Sequence, residues 1–486
     1  MLRNRFYRPL VFTLFGLTAP LFAQNKYIVV DLGSLGGTDA SRAATAARGI
    51  NNLGQVVGDS TLADGTNRGF RTAPNMPINP LTDAIGTLGG LTSSGAAIND
   101  SGQITGVSGT GLPGPFGSEI MRAYRADPGQ PLVDLGTLAG PAGGVNGFNN
   151  SNGNAISNEG RVVGSADVAP NNCFAVAHGF RTGPNQPILP DSNLSRPDDI
   201  GTLVSIFSLS GCFSSVAFGI NTLGLTVGDS RAPVAGNVDH AVKWLGPLTG
   251  IIDLGTLPGG KNSIAWAVND LAIAVGQSEV ASNPFPFDGP THAFASVGDL
   301  VIFNRDLGTL GGTFSIAQAI NSQVPSTIVG GATTGGDAAI HAFRYNFTFL
   351  SNTDVMEDLN NLIPNNSGWV LQGASGVNNL GQIIGSGLHN GVFSAFRLDP
   401  LAQALPNLIG ILPNLLAGFT PGEINSFSSK LGSANASMAA GNITPAVNQL
   451  NAFVNEVQAY QRSGRLSAST ATLMIETATD VISSLN

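Results

Sequence analysis

Histidine recurs in this sequence at positions that could support metal binding. Four of the five histidines begin the same short motif, at His178, His240, His292 and His341. Histidine is the commonest metal ligand, but a metal site needs convergent partners. Arg68, Arg122 and Ser394 occupy the same place in related motifs, so imidazole is not required there. We interpret these histidines as polar residues that lead into a strand, and His389, beside a Gly-rich turn, as a surface residue.

Two other patterns could support hydrolysis or calcium binding. Gly58–Ser60 and Gly228–Ser230 read GDS, the start of a hydrolase nucleophile block, but related positions read GVS, GSA, GQS, GGA and GSG. A nucleophile needs one base at one place. Asn149–Asn154 has the polar composition of a calcium loop but lacks acidic ligands, with Arg161 where a twelfth-position Glu would stand. We therefore expect no catalytic residue, no metal and no cofactor.

These residues belong to three markers that each occur seven times in the same cyclic order. The first has the form INNLGQVVG, with its polar anchor at Asn51, Asn99, Ser157, Asn221, Asn269, Asn321 and Asn378. The second has the form DLGTLGG and begins at Asp31, Asp83, Asp134, Asp199, Asp253, Asp306 and Asp358. The third is an aromatic strand, such as RGFR at Arg68 and HAFRY at His341. Repetition at this period indicates a repeat architecture.

The first marker has the chemistry of a hairpin. The Asn51 side-chain oxygen can accept from the backbone two residues on, and Gly54 supplies a positive φ, as Gly102 and Gly381 do in related units. The hairpin joins strands predicted at Ala47–Asn51 and Gln55–Ser60. The aromatic motif adds a third strand and the DLG segment a fourth. Four such strands with ordinary loops fill roughly 40–50 residues, which matches the repeat.

The Asp of the second marker is the best candidate for a role shared by all units. A set of carboxylates could border a cation or sugar site. An Asp in this position more commonly caps a turn or accepts backbone N–H groups, which is the interpretation we favour.

Four-stranded units at this period predict an all-β seven-bladed β-propeller over residues 25–399. The chain begins with a lone DLG strand, Tyr27–Gly33, and its last unit ends after Arg397 without one. Pairing of these two ends would remove two open sheet edges at once. Eight blades or an open stack are the alternatives.

The combination of DLGTLGG, INxxGQxVG and HAF strands resembles the HAF family of extracellular repeats over Tyr27–Asp399. The resemblance implies an exported bacterial repeat protein of no established activity. Two turns depart from the pattern, because Ala272 replaces the turn Gly and Val324–Pro325 lengthen another.

Residues 400–486 have a helical pattern and are predicted to form a small all-α bundle. Thr420 to Glu423 read as an N-cap, a first-turn Pro and a capping-box acid. Gly441 and Gly464 fit helix ends, with Thr444 and Ser467 as the next N-caps. The segment resembles the FIMAH-type helical module, which implies an accessory or interaction role.

The first 23 residues have the pattern of a signal peptide, with three arginines, the apolar run Pro9–Leu17 and cleavage near Ala23. Removing those arginines from 22 basic residues leaves 19 against 31 acidic ones, a net charge of −12. That charge opposes binding to nucleic acid or anionic lipid. We expect a secreted monomer with no membrane span. Cys173 and Cys212, the two cysteines, are expected to form a peripheral disulfide.

The leading functional hypothesis is a non-catalytic scaffold that binds a surface glycan or another protein through its loops. The alternatives are an extracellular enzyme acting on polysaccharide at the mouth of the propeller, and a structural component of the cell envelope. An enzyme should show a convergent polar cluster that breaks the repeat consensus. The sequence alone reveals no such cluster.

Overall fold

Short antiparallel sheets occupy the chain up to Pro400, and four helices follow. The computed structural model describes residues 26–37, 45–141, 143, 148–168, 176–190, 198–203, 213–232, 238–246, 250–281, 289–298, 303–349, 351 and 353–485. The expected signal peptide and both Cys173 and Cys212 lie outside these residues, so the leader and the disulfide stay predictions.

Strand β1 (Tyr27–Asp31) precedes seven repeat units. The first three units contain β2 (Ala46–Ile50), β3 (Val56–Thr61), β4 (Asn67–Arg71), β5 (Ser93–Ile98), β6 (Ile104–Pro113), β7 (Glu119–Ala126), β8 (Val133–Asp134), β9 (Ser151–Ile156), β10 (Val162–Asp167) and β11 (Ala177–Arg181). The last four contain β12 (Ser215–Ile220), β13 (Thr226–Arg231), β14 (Asp239–Trp244), β15 (Ile251–Gly255), β16 (Ser263–Val268), β17 (Ala274–Glu279), β18 (Thr291–Val297), β19 (Phe303–Asp306), β20 (Gly311–Ile320), β21 (Ser326–Thr334), β22 (Ile340–Phe347), β23 (Met356–Asp358), β24 (Trp369–Val377), β25 (Ile383–His389) and β26 (Val392–Pro400).

Each unit is an antiparallel meander whose strands pair in chain order. In the first and third units an isolated bridge, at Ala84 or Asp199, stands where the other units have a fourth strand. A single parallel pair, Thr291 with Phe314, joins the fifth and sixth units into one sheet of eight strands. The predicted hairpin strands are confirmed, with their bounds shifted by about one residue, as is usual at strand ends.

Strand β1 supplies the fourth strand of the last unit. It pairs antiparallel with β26, placing Val29 opposite Leu398 and Val30 opposite Arg397. The pairing predicted from the offset of the markers is therefore confirmed, over Tyr27–Asp31 rather than to Gly33.

Apolar cores lie between consecutive units, because each sheet is apolar on both faces. The same kind of core joins the last unit to the first, where Leu32, Val56 and Phe70 pack against Ile384 and Ala395. A chain of packed sheets whose last member contacts its first buries apolar surface at both ends of the series.

The four helices are α1 (Leu401–Leu415), α2 (Pro421–Ala439), α3 (Ile443–Arg462) and α4 (Ala468–Leu485). The predicted capping box is confirmed, since Thr420 and Glu423 satisfy each other's backbone N–H groups. Ser467 accepts from the Thr470 N–H as expected. Thr444 is not the cap of α3: Asn442 is, and the helix begins two residues earlier than predicted, at Ile443. Pro445 still lies in the first turn, where its missing N–H is tolerated.

The helices pack on β1 and cover its outer edge. Ile28 and Val30 belong to the apolar core of the helical region. The Asp480 carboxyl of α4 lies beside the Val29 backbone N–H, which acts to lower its pKa. Covering an edge strand in this way prevents it from pairing with another chain.

Among the described residues, none of the helices combines the length and the hydrophobicity needed to cross a membrane.

The first prediction concerns β1. A chain that begins at Leu32 should unfold at much lower denaturant concentration than one that begins at Lys26. The truncation removes Ile28, Val29 and Val30, whose burial contributes roughly 5–9 kcal/mol as an upper bound. Equal unfolding midpoints for the two chains would show that the pairing of β1 with β26 does not stabilise the protein.

The second prediction concerns Asp480. Burial, and then the neighbouring Glu476 carboxylate, raise the pKa of Asp480 to about 7 from an ordinary value of 3.8. The folded state therefore binds the proton more tightly, and stability should fall as pH rises from about 4 through about 7. Asp480→Asn, which mimics the protonated acid, should raise the melting temperature at pH 8 and leave it nearly unchanged at pH 4. Glu159→Gln, at an exposed position, is the control. A pH-independent effect of Asp480→Asn would refute this account.

Candidate functional site

The Asn of the first marker forms the turn that the sequence predicts. The Asn51 Oδ1 accepts from the Leu53 N–H at 3.1 Å and the Gln55 N–H at 3.0 Å. Gly54 follows with φ 73°, and the equivalent Gly102 and Gly381 both have φ 78°. Ala272 keeps the same conformation with φ 59° although it carries a Cβ.

The same Asn side chains also link the units, which the sequence analysis missed. The Asn51 Nδ2 donates to the backbone oxygen of Asn99 at 3.0 Å. Equivalent bonds run from Asn99 to Ser157, Asn221 to Asn269, Asn269 to Asn321, Asn321 to Asn378, and Asn378 back to Asn51. Each Asn therefore holds its own turn with its oxygen and the next unit with its nitrogen.

This circuit has one break, at Ser157. The Ser157 hydroxyl accepts from the Arg161 N–H at 3.2 Å, so the turn survives. Within the described part of the chain, no hydrogen bond joins Ser157 to Asn221. A hydroxyl is too short to replace the amide in both of its roles.

The Asp of the second marker caps its turn, as the favoured interpretation expects. Its carboxylate accepts from the N–H two residues on in the units of Asp31, Asp134, Asp199, Asp253, Asp306 and Asp358. The marker histidines bind these same carboxylates through Nδ1, at 2.9 Å for His240 with Asp253 and for His292 with Asp306. Burial raises the pKa of Asp253, but the hydrogen bonds from His240 and Gly255 outweigh it and hold the pKa below its ordinary value.

His389 is not an isolated surface residue, which corrects the sequence interpretation. It bonds Asp31 at 2.8 Å and stacks on Trp369 with 4.6 Å between ring centroids. The last unit has Ser394 where four other units have His, and His389 supplies a His–Asp pair from the neighbouring strand. The sequence does not reveal this pair, because β1 and β25 are far apart along the chain and come into one sheet only on folding.

The GDS serines are structural. Ser60 and Ser230 are fully buried. The Ser60 hydroxyl accepts from the Leu35 N–H, and that of Ser230 from the Leu203 N–H. Each serine thus fixes a loop of its unit. In the described ranges, no group of three His, Cys, Asp or Glu side chains is placed to hold a metal ion.

A β-bulge interrupts the first strand of every unit at one place, three residues before the turn Asn. The bulged residues are Arg48, Ala96, Asn154, Phe218, Trp266, Gln318 and Ser375. The last unit has a second bulge at Gln372. A bulge redirects a side chain out of the regular alternation of a strand.

The final glycine of the first marker makes these bulges possible. At Gly58, a Cβ would overlap the backbone oxygen of Ala46 in the bulged strand. The same overlap with a first-strand oxygen occurs at Gly106, Gly164, Gly228, Gly276, Gly330 and Gly385. Any residue larger than glycine would force the two strands apart. The glycine that all seven units share is therefore required by the bulge in the neighbouring strand.

The bulged residues border a central cavity of about 580 Å³. All of them line it, together with Gln372 and Phe393. A second cavity of about 170 Å³ lies at the turn end of the same strands and is lined by the Asn residues and their neighbours. An apolar residue before each turn Asn, such as Ile98 or Val268, also lines this smaller cavity.

The central cavity combines an aromatic wall with amides. Phe218 and Trp266 contact each other with ring centroids 4.3 Å apart at 44°. The side-chain amides of Gln318 and Gln372 have no hydrogen bond to any described residue. Arg48 pairs with Asp59 at 2.5 Å, which compensates its charge. The arrangement can stack a planar or ring-shaped ligand and hydrogen-bond its polar groups.

Sequence reasoning missed this site, although its signal was present. The position three before the turn Asn holds seven different residue types, whereas the positions around it keep one type or size. The repeats are recognised by their constant positions, whereas the candidate site is formed by the position that differs between units. The site is also on strands rather than on the loops that the sequence analysis favoured.

Comparison with known proteins gives no relative: no family model matches the chain, and no curated protein matches it.

The third prediction concerns the break in the Asn circuit. Ser157→Asn should add a hydrogen bond to the Asn221 backbone oxygen and stabilise the protein by about 1 kcal/mol. The reciprocal Asn99→Ser should destabilise it by at least as much, because it leaves buried groups unpaired. Equilibrium denaturant unfolding of both variants measures the two effects. A destabilising Ser157→Asn would contradict the prediction.

Proposed function

We propose that the repeat region is a seven-bladed β-propeller and that the chain is a non-catalytic binding scaffold whose ligand enters the central cavity. One observation carries the proposal. The bulged position, which contributes a side chain from every unit to the larger cavity, differs in all seven units, while the frame that creates it is constant.

Closure into a ring is supported by three contacts between the chain ends. Asn378 donates to the Asn51 backbone oxygen, the last unit packs on the first, and β1 pairs with β26. An open stack would leave the first and last Asn without these partners. Seven units, rather than eight, account for every copy of the markers.

Binding rather than catalysis is supported by the chemistry of the cavity. The bulged residues form a convergent cluster that breaks the repeat, as a polysaccharide-acting enzyme would also require. A glycosidase, however, uses a pair of carboxyl groups. The described residues that line the cavity offer amides, hydroxyls, aromatic rings and one guanidinium, without a carboxyl or imidazole group. These groups hold a ligand by stacking and hydrogen bonds.

The resemblance to HAF repeats and to a FIMAH-type module supports an exported protein with the helices as an accessory region. We propose a secreted monomer in which the helices cover strand β1. In this proposal the ligand contacts the repeat units and not the helices. The contacts of Ile28, Val30 and Asp480 support this role.

The test is to fill the cavity without disturbing the frame. Ala96→Trp introduces a residue that the same position already accepts at Trp266, so folding should be preserved. A thermal-shift screen would use saccharides, nucleosides, amino acids and dipeptides. At least one class should raise the melting temperature of the unmodified chain and leave that of Ala96→Trp unchanged.

The control is Leu91→Trp, because Leu91 is 73% exposed and does not line the cavity. It should respond like the unmodified chain. The proposal fails if no class of compound stabilises the protein, or if Ala96→Trp responds as the unmodified chain does.

A further inference from the structure

We infer that the ligand of the central cavity is a neutral carbohydrate, one ring of which stacks on the wall formed by Trp266 and Phe218. This inference rests on the proposed function and adds the class of ligand.

The aromatic wall occupies one side of the cavity. Phe218 and Trp266 come from the fourth and fifth units, which are neighbours, and both side chains are only half-buried. A sugar ring has a face of C–H groups whose partial positive charge suits the negative face of an aromatic ring. Trp266 is the larger of the two and provides the principal stacking surface.

Amide groups lie on either side of this wall. Asn154 belongs to the third unit and Gln318 to the sixth, so they flank the aromatic pair. The Asn154 Nδ2 donates to the Ala217 backbone oxygen at 2.9 Å, which fixes the side chain. Gln318 is exposed and has no hydrogen bond within the described residues. An amide offers both a donor and an acceptor, and sugar hydroxyls need both.

The opposite side of the cavity adds further polar groups. Gln372 and Ser375 come from the last unit and Arg48 from the first. The Ser375 hydroxyl already donates to the Ala47 backbone oxygen at 2.6 Å, so Gln372 is the free partner on this side. A ligand stacked on Trp266 can therefore be bonded from the far wall as well.

The charges of the cavity favour a neutral ligand. Arg48 is the one ionisable side chain among the described lining residues, and Asp59 neutralises it. Asp59 is in turn bonded by the Ser94 hydroxyl at 3.1 Å. Because the pair carries no net charge, it offers little attraction to an anionic sugar, and a cation would face the Arg48 guanidinium. The volume of about 580 Å³ lies within the range of roughly 300–1,000 Å³ typical of small-ligand pockets.

The experiment titrates the full chain with neutral methyl glycosides and short neutral oligosaccharides of hexoses, pentoses, deoxyhexoses and N-acetylhexosamines. Binding is followed by tryptophan fluorescence and by calorimetry. At least one saccharide should bind and change the emission. Trp266→Ala should weaken its affinity about tenfold or more, Trp266→Phe should weaken it less, and Gln318→Ala should weaken it severalfold. Leu91→Ala, outside the cavity, is the matched control.

The outcomes separate the ligand class from the proposed function. If nucleosides, amino acids or dipeptides bind in a manner that Ala96→Trp abolishes, and no neutral saccharide does, the carbohydrate inference is wrong and the binding scaffold stands. If the uronic acid oligosaccharides, added as a charged series, bind more tightly than neutral ones, the inference is also wrong. If nothing binds in a manner sensitive to Ala96→Trp, both the inference and the proposed function fail.

Discussion

One steric constraint determines most of the repeat unit: the bulged first strand places a backbone oxygen where the second strand would otherwise carry a Cβ. Gly58 and its six equivalents avoid this clash because glycine has no Cβ. In five units the aromatic side chain of the third strand approaches this glycine, with a ring carbon in four of them, such as Phe70 and Phe180, and with the Tyr124 hydroxyl in the other. The glycine and the aromatic residue of these units therefore lie at the same place, where the second strand passes the bulged first strand.

The unit separates positions that hold the structure from the position that varies. The turn Asn satisfies its own backbone and the neighbouring unit, and in five units the marker Asp caps a turn while binding a histidine. Both groups are therefore engaged in hydrogen bonds that hold the turns and connect neighbouring units. Asn154 and Ser375 bond the neighbouring unit from the bulged position, but Trp266 stands at the same position without such a hydrogen bond. The identity of the bulged residue can therefore change without loss of the frame. Variation at one place in a constant frame is how a repeat protein acquires a specific surface.

Local interactions were predictable from the sequence, and interactions between units were not. The Asn51 turn, the positive φ of Gly54 and the Thr420 capping box depend on residues within a few positions of one another. The pairing of β1 with β26 was also predictable, because the markers at the two chain ends are offset by one strand. The Asn51 amide bond to the next unit, the pairing of His389 with Asp31 and the convergence of the bulged residues depend on distant strands. No local pattern encodes the first two contacts, whereas the third has a sequence signal in the variation of the position three before the turn Asn.

The position of β1 has a consequence for the order in which the molecule is assembled. Tyr27 is among the first described residues to be synthesised, yet its strand partner, Pro400, is made hundreds of residues later. Each inter-unit core can form as soon as the next unit exists, whereas β1 has no partner until the whole series is present. Contacts between such distant residues are slow to form, and an unpaired strand is open to misassembly in the meantime. The helices that cover β1 are synthesised later still. The strand that waits longest for its partners is therefore covered in the folded protein by β26 on one side and by the helices on the other.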